Sequence, residues 1–180
     1  MGYRYSLDEV MTAAIRTALD HGMTGLTYAQ VAERLGTSDR MIVYYFPSKS
    51  ELIVSVATQL GNELQVLLGE AFGDEPATTD ELLAAAWPVL SNKRADRVFG
   101  LFFEMIGLAS AGQAPYVELV RHLMDSWADW LSERVVGSRP EIRRRRALSV
   151  MARIDGLLMI RRVMGTRAAD AAAQEVIPRL

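Results

Sequence analysis

Arg40, Tyr44, Tyr45 and Lys49 crowd the end of one stretch, residues 27–49, TYAQVAERLGTSDRMIVYYFPSK. Their chemistry is donation to anions and to base edges. A guanidinium is a planar fork that pairs bidentately with guanine O6 and N7, whereas phenol and ammonium groups donate to phosphate oxygens. Asp39, Arg40 and Met41 fall in the first turn of a short helix. Side chains of that turn reach base edges when such a helix enters a major groove. Tyr44 and Tyr45 point about 100° apart on it. Tyr44 is expected to meet backbone phosphate, Tyr45 less directly, and Phe46 to enter the core. Lys49 follows the cap Ser48 at the start of the next helix. A cation there opposes the helix dipole, but a phosphate in front reverses the sign: dipole, free amides and lysine then act together.

Two short helices joined by a tight turn must hold these groups. Thr27 opens the first, with Gln30 three residues on as a capping box, Val31, Ala32 and Leu35 facing inward, and Gly36 closing it. Ser38 caps the second, which runs to about Tyr45 before Pro47 stops it. Upstream, Ser6 and Glu9 make another box, and Leu7, Met11, Ala14, Ile15 and Ala18 form one apolar stripe that ends near Gly22. Downstream, boxes at Ser48–Glu51 and Thr78–Glu81, breaks at residues 73–77, 112–115 and 137–140, and Gly165 mark six more helices. The fourth of these, the seventh of the chain, is expected over residues 116–136. No segment alternates like a strand. The pattern predicts an all-α chain of nine helices, with a helix-turn-helix domain over residues 1–50 and a larger helical domain over residues 51–180.

Composition removes several chemistries. The chain has 180 residues, half of them apolar, and no cysteine, which excludes disulfides, thiolate zinc sites and cysteine catalysis. The sequence has no 18-residue apolar run and no cationic start followed by an apolar stretch, so neither a membrane partner nor a secretory leader is expected, and the expected place is the cytoplasm. The start, Met1-Gly2 to Ser6, fits an N-acylation pattern, but Ser6 is better used as a cap. Net charge is −2, and the first fifty residues balance five cations against five anions. A nucleic-acid contact must therefore come from a local patch and not from a global field. The run Arg143–Arg146 is basic, but it lies far along the chain at the start of a later helix and reads as a solvated face with acidic partners.

The second half carries large adaptable side chains at helical spacing. Trp87, Phe99, Phe102, Phe103, Ile106, Trp127 and Met151 suit a mostly apolar ligand cavity, and His122 and Asp155 are polar residues within apolar helices that would orient a ligand. Each has a plainer use in the core. There is no Gly-rich phosphate loop, nucleophile elbow or His-Glu-x-x-His string, and two separated histidines make no metal site, so no cofactor, metal or catalysis is expected.

Gly22 and Gly25, Thr27, Val31-Ala32, Gly36-Thr37-Ser38, Ile42-Val43-Tyr44-Tyr45-Phe46 and Lys49 together resemble the TetR family of bacterial transcriptional regulators. The resemblance is carried by residues 14–53 and supported by the nine-helix pattern. It implies that the N-terminal domain binds a double-stranded DNA operator through Thr27, Ser38, Asp39, Arg40, Met41, Tyr44, Tyr45 and Lys49. It also implies that the larger domain binds a small-molecule effector and forms a homodimer, so that the chain acts as a ligand-released repressor. Two positions depart from the pattern. Val43 replaces a tyrosine that would donate to phosphate, and Arg40 replaces a small residue. The rivals are a helical small-molecule-binding protein without operator binding and a helical-bundle enzyme. For the dimer, the expected apolar stripes are Leu148, Met151, Ile154, Leu158 and Val163 together with Ala169, Ala172, Ala173 and Val176.

Overall fold

Ser6 and Thr78 show why the chain breaks into helices where it does. Each side chain accepts from the amide three residues on, that of Glu9 or Glu81, whose carboxylate returns to the cap's own amide. Two orphan donors are satisfied at each helix start. Ser48 likewise accepts from the Glu51 amide at 3.1 Å. The structure is a computed structural model that describes residues 5–177, so Gly2 of the acylation pattern lies outside the described residues. Among those described there are nine helices and no strand: α1 (Leu7–Gly25), α2 (Tyr28–Leu35), α3 (Asp39–Tyr45), α4 (Lys49–Phe72), α5 (Thr79–Leu90), α6 (Lys93–Ser110), α7 (Tyr116–Ser132), α8 (Pro140–Met164) and α9 (Thr166–Val176).

Two details differ from the capping pattern. Thr27 accepts from the Gln30 amide, but the reciprocal bond is missing, because the Gln30 Oε1 is buried without a partner. And α7 stops at Ser132 instead of reaching residue 136. Its continuation is taken by an isolated parallel bridge, in which the Ala77 amide donates to Arg134 O and the Val136 amide to Ala77 O, each at 2.9 Å.

The chain divides into two compact units, one of Met1–Asn62 with Leu101–Val120, the other of Glu63–Gly100 with Arg121–Leu180. In the first, Val10, Ala14, Met23, Leu26, Val31, Ile42, Leu52 and Val56 are buried completely. Each large apolar side chain so buried contributes about 1.5–3 kcal/mol before chain entropy is counted. In the second, α8 packs on both α5 and α9. Leu82, Leu83 and Leu90 of α5, Val150, Ile154, Leu157 and Leu158 of α8, and Ala169 and Ala173 of α9 fill that core. At its edge Arg161 pairs side-on with Asp96, Nε to Oδ1 at 2.6 Å and Nη2 to Oδ2 at 3.1 Å, with the arginine side chain only 7% exposed.

The expected dimer stripes are accordingly revised. Met151, Ile154, Leu158, Ala169 and Ala173 are buried inside this chain, because α9 and α5 cover them. What α8 leaves outside is a narrower stripe of Leu148, Ala152, Met159 and Val163, the last 77% exposed. By length and composition alone, α4 could cross a membrane. Its Leu52, Ile53, Val56, Ala57, Leu60 and Leu68 are buried, however, as in a core helix of a globular unit.

Candidate nucleic-acid interface

Gly36 makes the turn between α2 and α3. Its φ of 63° and ψ of 41° lie in the left-handed region, which costs a glycine little. The following amide, of Thr37, donates back to Ala32 O at 3.0 Å, so α2 ends with its carbonyls satisfied and the chain reverses within two residues. Ser38 then stands at the N-cap of α3 with no side-chain cap bond, which leaves its hydroxyl outside the helix's own bonding. From α3 itself Ile42 points inward and is fully buried, and Phe46, which follows, is nearly so. The Tyr28 hydroxyl donates to Phe46 O at 2.9 Å and pins the end of α3 to the start of α2.

With one side of α3 fixed, its other side is presented. Asp39 and Arg40 in the first turn are exposed, Met41 is half-buried, Val43 is exposed and Tyr44 is 57% exposed. Lys49, the first residue of α4, is exposed too. Neither Arg40 nor Lys49 makes a hydrogen bond or ion pair with any described residue. Tyr45 behaves differently from Tyr44. It lies edge-on to it, with ring centroids 5.0 Å apart, and its hydroxyl donates to Tyr5 O at 2.7 Å. Its single proton is therefore already in use, whereas Tyr44 is distinguished by its exposure. Tyr5 in turn donates to Leu35 O, so the two tyrosines tie the chain's start to both helices of the motif. Thr27 is half-buried at the mouth of α2.

Arg34 near the motif and three of the four arginines in the basic run are committed. Arg34 reaches Asp20 at 2.6 Å and Thr17 at 3.1 Å. Arg144 bridges Asp125 and Asp129, Arg143 donates to Gly137 O and Arg146 to Val136 O. The run is thus a self-satisfied face, as its sequence position suggested, with Arg145 left exposed.

The candidate ligand residues are divided between the two units. Phe102, Phe103 and Ile106 belong to the first unit, where the two rings sit 6.0 Å apart. Trp87, Phe99, His122, Trp127, Met151 and Asp155 belong to the second. There Trp87 and Met151 are core residues, Phe99 and Trp127 are half-buried, and His122 is exposed. An aromatic row that spacing did not reveal runs from Trp127 to Trp130 (5.4 Å) to Phe72 (5.7 Å), capped by the Arg134 guanidinium 4.0 Å above the Trp130 ring. Sequence also gave no sign that Glu104 accepts from the amides of Met23 and Thr24. Its partners lie eighty residues away, beyond the reach of any local pattern.

Residues 10–56 match the family described as "Bacterial regulatory proteins, tetR family". The transcriptional repressor NicS of Pseudomonas putida is 31% identical over 83 residues, a match spanning 44% of this chain and 39% of that protein. The transcriptional regulator BetI of Brucella anthropi is 29% identical over 170 residues, 92% of this chain and 85% of the relative. Among solved structures, a transcriptional regulator from Rhodococcus sp. superposes with a TM-score of 0.74 at 22% identity, over 96% of this chain and 94% of the other. The multidrug binding protein EbrR, solved with imidazole, does so at 0.66 and 17% identity, over 96% and 95%. These structural likenesses carry the fold.

Asp155 gives a measurable consequence. It lies on the same face of α8 as Leu148, Ala152 and Met159, and makes no hydrogen bond among the described residues. Burial pushes its carboxyl up from the ordinary 3.8 to about 6. The folded chain then holds a proton that the unfolded chain releases, so the cost is absent below about pH 3.8 and complete above about pH 6. At about 1.4 kcal/mol per unit the cost is at most about 3 kcal/mol, less whatever partial exposure relieves. Asp155→Asn should raise the unfolding free energy at pH 7.5, with the gain vanishing as pH falls toward 4. Denaturant melts at the two pH values check this, and an equal effect at both would exclude titration as the cause.

Proposed function

Because this chain belongs to the TetR family of bacterial regulatory proteins, we propose that it is a homodimeric repressor whose helix-turn-helix binds an operator and whose helical domain answers a small apolar or amphipathic molecule. The observation that carries the reading is the two-sidedness of α3. Ile42 and the adjoining Phe46 are locked into the core, while Arg40 and Tyr44 stand exposed beside Lys49. Arg40 takes the role of base reader. Tyr44, Lys49, Ser38 and Thr27 take phosphate, and Asp39 and Met41 line the same first turn. The local cations suffice because both Arg40 and Lys49 are unspent, although the chain as a whole is slightly acidic. Operator binding places its work in the cytoplasm.

DNA selected by the chain from a random pool separates the two roles. Lys49→Ala should weaken binding alike on all sequences and lower the salt slope by about one. Arg40→Ala should cost about 1–3 kcal/mol on the preferred site and relax one base position in each half-site. A selection profile unchanged by Arg40→Ala, or a Lys49→Ala titration that overlays the wild type at every salt concentration, would refute the assignment of that residue.

The dimer reading rests on the stripe of Leu148, Ala152, Met159 and Val163 left exposed along α8. A second copy related by a two-fold axis offers the same stripe in return, which closes the contact without leaving a free apolar edge. Met159→Glu with Val163→Glu should convert the dimer to a monomer in sedimentation while helical content stays constant. A wild-type chain that sediments as a monomer at micromolar concentration contradicts it.

For the effector, support comes from the half-buried Phe99 and Trp127, with Met151 and Asp155, in the second unit, and from a neighbour in fold, the multidrug binding protein EbrR, solved with imidazole. His122, which is exposed, would meet a ligand only at the rim of such a site. Since α4 is a single helix from Lys49 to Phe72, a shift imposed on its later turns is felt at Lys49. Release of DNA requires tighter binding to the non-binding arrangement; a tenfold release needs about 1.4 kcal/mol of difference. Hydrophobic compounds that raise the melting temperature should weaken operator binding. Stabilisers that leave operator affinity untouched would show a pocket without a switch.

A further inference from the structure

Gly22 interrupts α1 with φ 80° and ψ 171°, and a carboxylate occupies the space its absent side chain leaves. A Cβ at Gly22 would lie 2.8 Å from Glu104 Oε2. Just beyond the break the Met23 amide donates to Glu104 Oε2 at 2.9 Å. The Thr24 amide donates to Oε1 at 3.0 Å and the Thr24 hydroxyl to the same oxygen at 2.9 Å. Two successive amides converging on one anion form a nest, and hydrogen bonds to a charged acceptor are the strong kind. The Tyr116 hydroxyl reaches Met23 O from α7 at a long 3.5 Å. All of these residues belong to the unit of Met1–Asn62 and Leu101–Val120.

What the nest holds is the approach to the motif. Met23 and Leu26 are fully buried, and Thr27, the next residue, caps α2. The placement of residues 22–24 therefore sets where α2 begins, and α2 packs on α3. We propose that Glu104 is a positioning residue for DNA recognition: it pins residues 22–24 so that α2 and α3 are presented for binding. This rests on the DNA-binding reading above. Gly22 is then required twice, for its backbone conformation and for the room it gives the carboxylate.

The test uses the full chain with Glu104→Ala, which removes the acceptors, and Glu104→Gln, which keeps the shape but turns one acceptor into a donor facing a donor. Both should bind the selected operator about tenfold more weakly or worse, with the salt slope unchanged because no phosphate contact is lost. The amides of Met23 and Thr24 should exchange with solvent about tenfold faster while those of α2 and α3 keep their protection. A merely structural role would lower the melting temperature and leave the affinity of the folded protein intact. Affinity within twofold of wild type in both variants overturns the proposal, and so does weakened binding without faster exchange at Met23 and Thr24. A wild-type chain that selects no DNA overturns the operator reading and this role together, and is recognised because the failure precedes any substitution.

Discussion

A helix of seven residues cannot sustain itself in water, and α3 is such a helix. Everything it presents outward depends on what it buries. Ile42 and Phe46 supply the burial, the Tyr28 bond to Phe46 O fixes the helix end, and Gly36 sets its angle to α2. Remove the inward contacts and Arg40 and Tyr44 become side chains on a disordered loop; in the DNA-binding role proposed above, the entropy of ordering them would then count against binding. The surface that α3 presents is a property of the core beneath it.

Charge is handled by commitment and not by number. Arg34, Arg143, Arg144, Arg146, Arg153 and Arg161 all have carboxylates or carbonyls within hydrogen-bond distance. Such exposed pairs add little stability, yet they keep these cations away from solution anions. Arg40, in the first turn of α3, and Lys49, which opens α4, are among the cations without a described partner. A chain of net charge −2 can thus carry a local anion-binding edge. The buried exception, Arg161 with Asp96, ties the end of α8 to the first turn of α6 and leaves Nη1 without a partner, so that losing Asp96 would strand a buried charge.

Helix α8 has three tasks on three sides. One side meets α5 and another α9, which together bury Val150, Ile154, Leu157 and Leu158. The third carries Leu148, Ala152, Met159 and Val163, with Asp155 among them. A carboxyl with no hydrogen bond among apolar neighbours costs stability at neutral pH.

Local rules were enough to read the helices, because capping and breaking act within four residues. Ser6–Glu9 and Thr78–Glu81 form the boxes their spacing announces, Gly22 and Gly36 take the positive φ their positions require, and the order of nine helices follows. The same stretch, residues 27–49, made the family resemblance legible, since its signal is a contiguous string. Tertiary structure decided whatever depended on partners distant in the chain. Periodicity showed that Met151, Ile154 and Leu158 are apolar and in line, but not that α5 and α9, rather than a second copy, would cover them. It could not tell Tyr45, whose proton goes to Tyr5 O, from Tyr44, which stays exposed. Nor could it find Glu104 in the nest of residues 22–24, because a hydrogen bond closed across eighty residues leaves no trace in the spacing of either end.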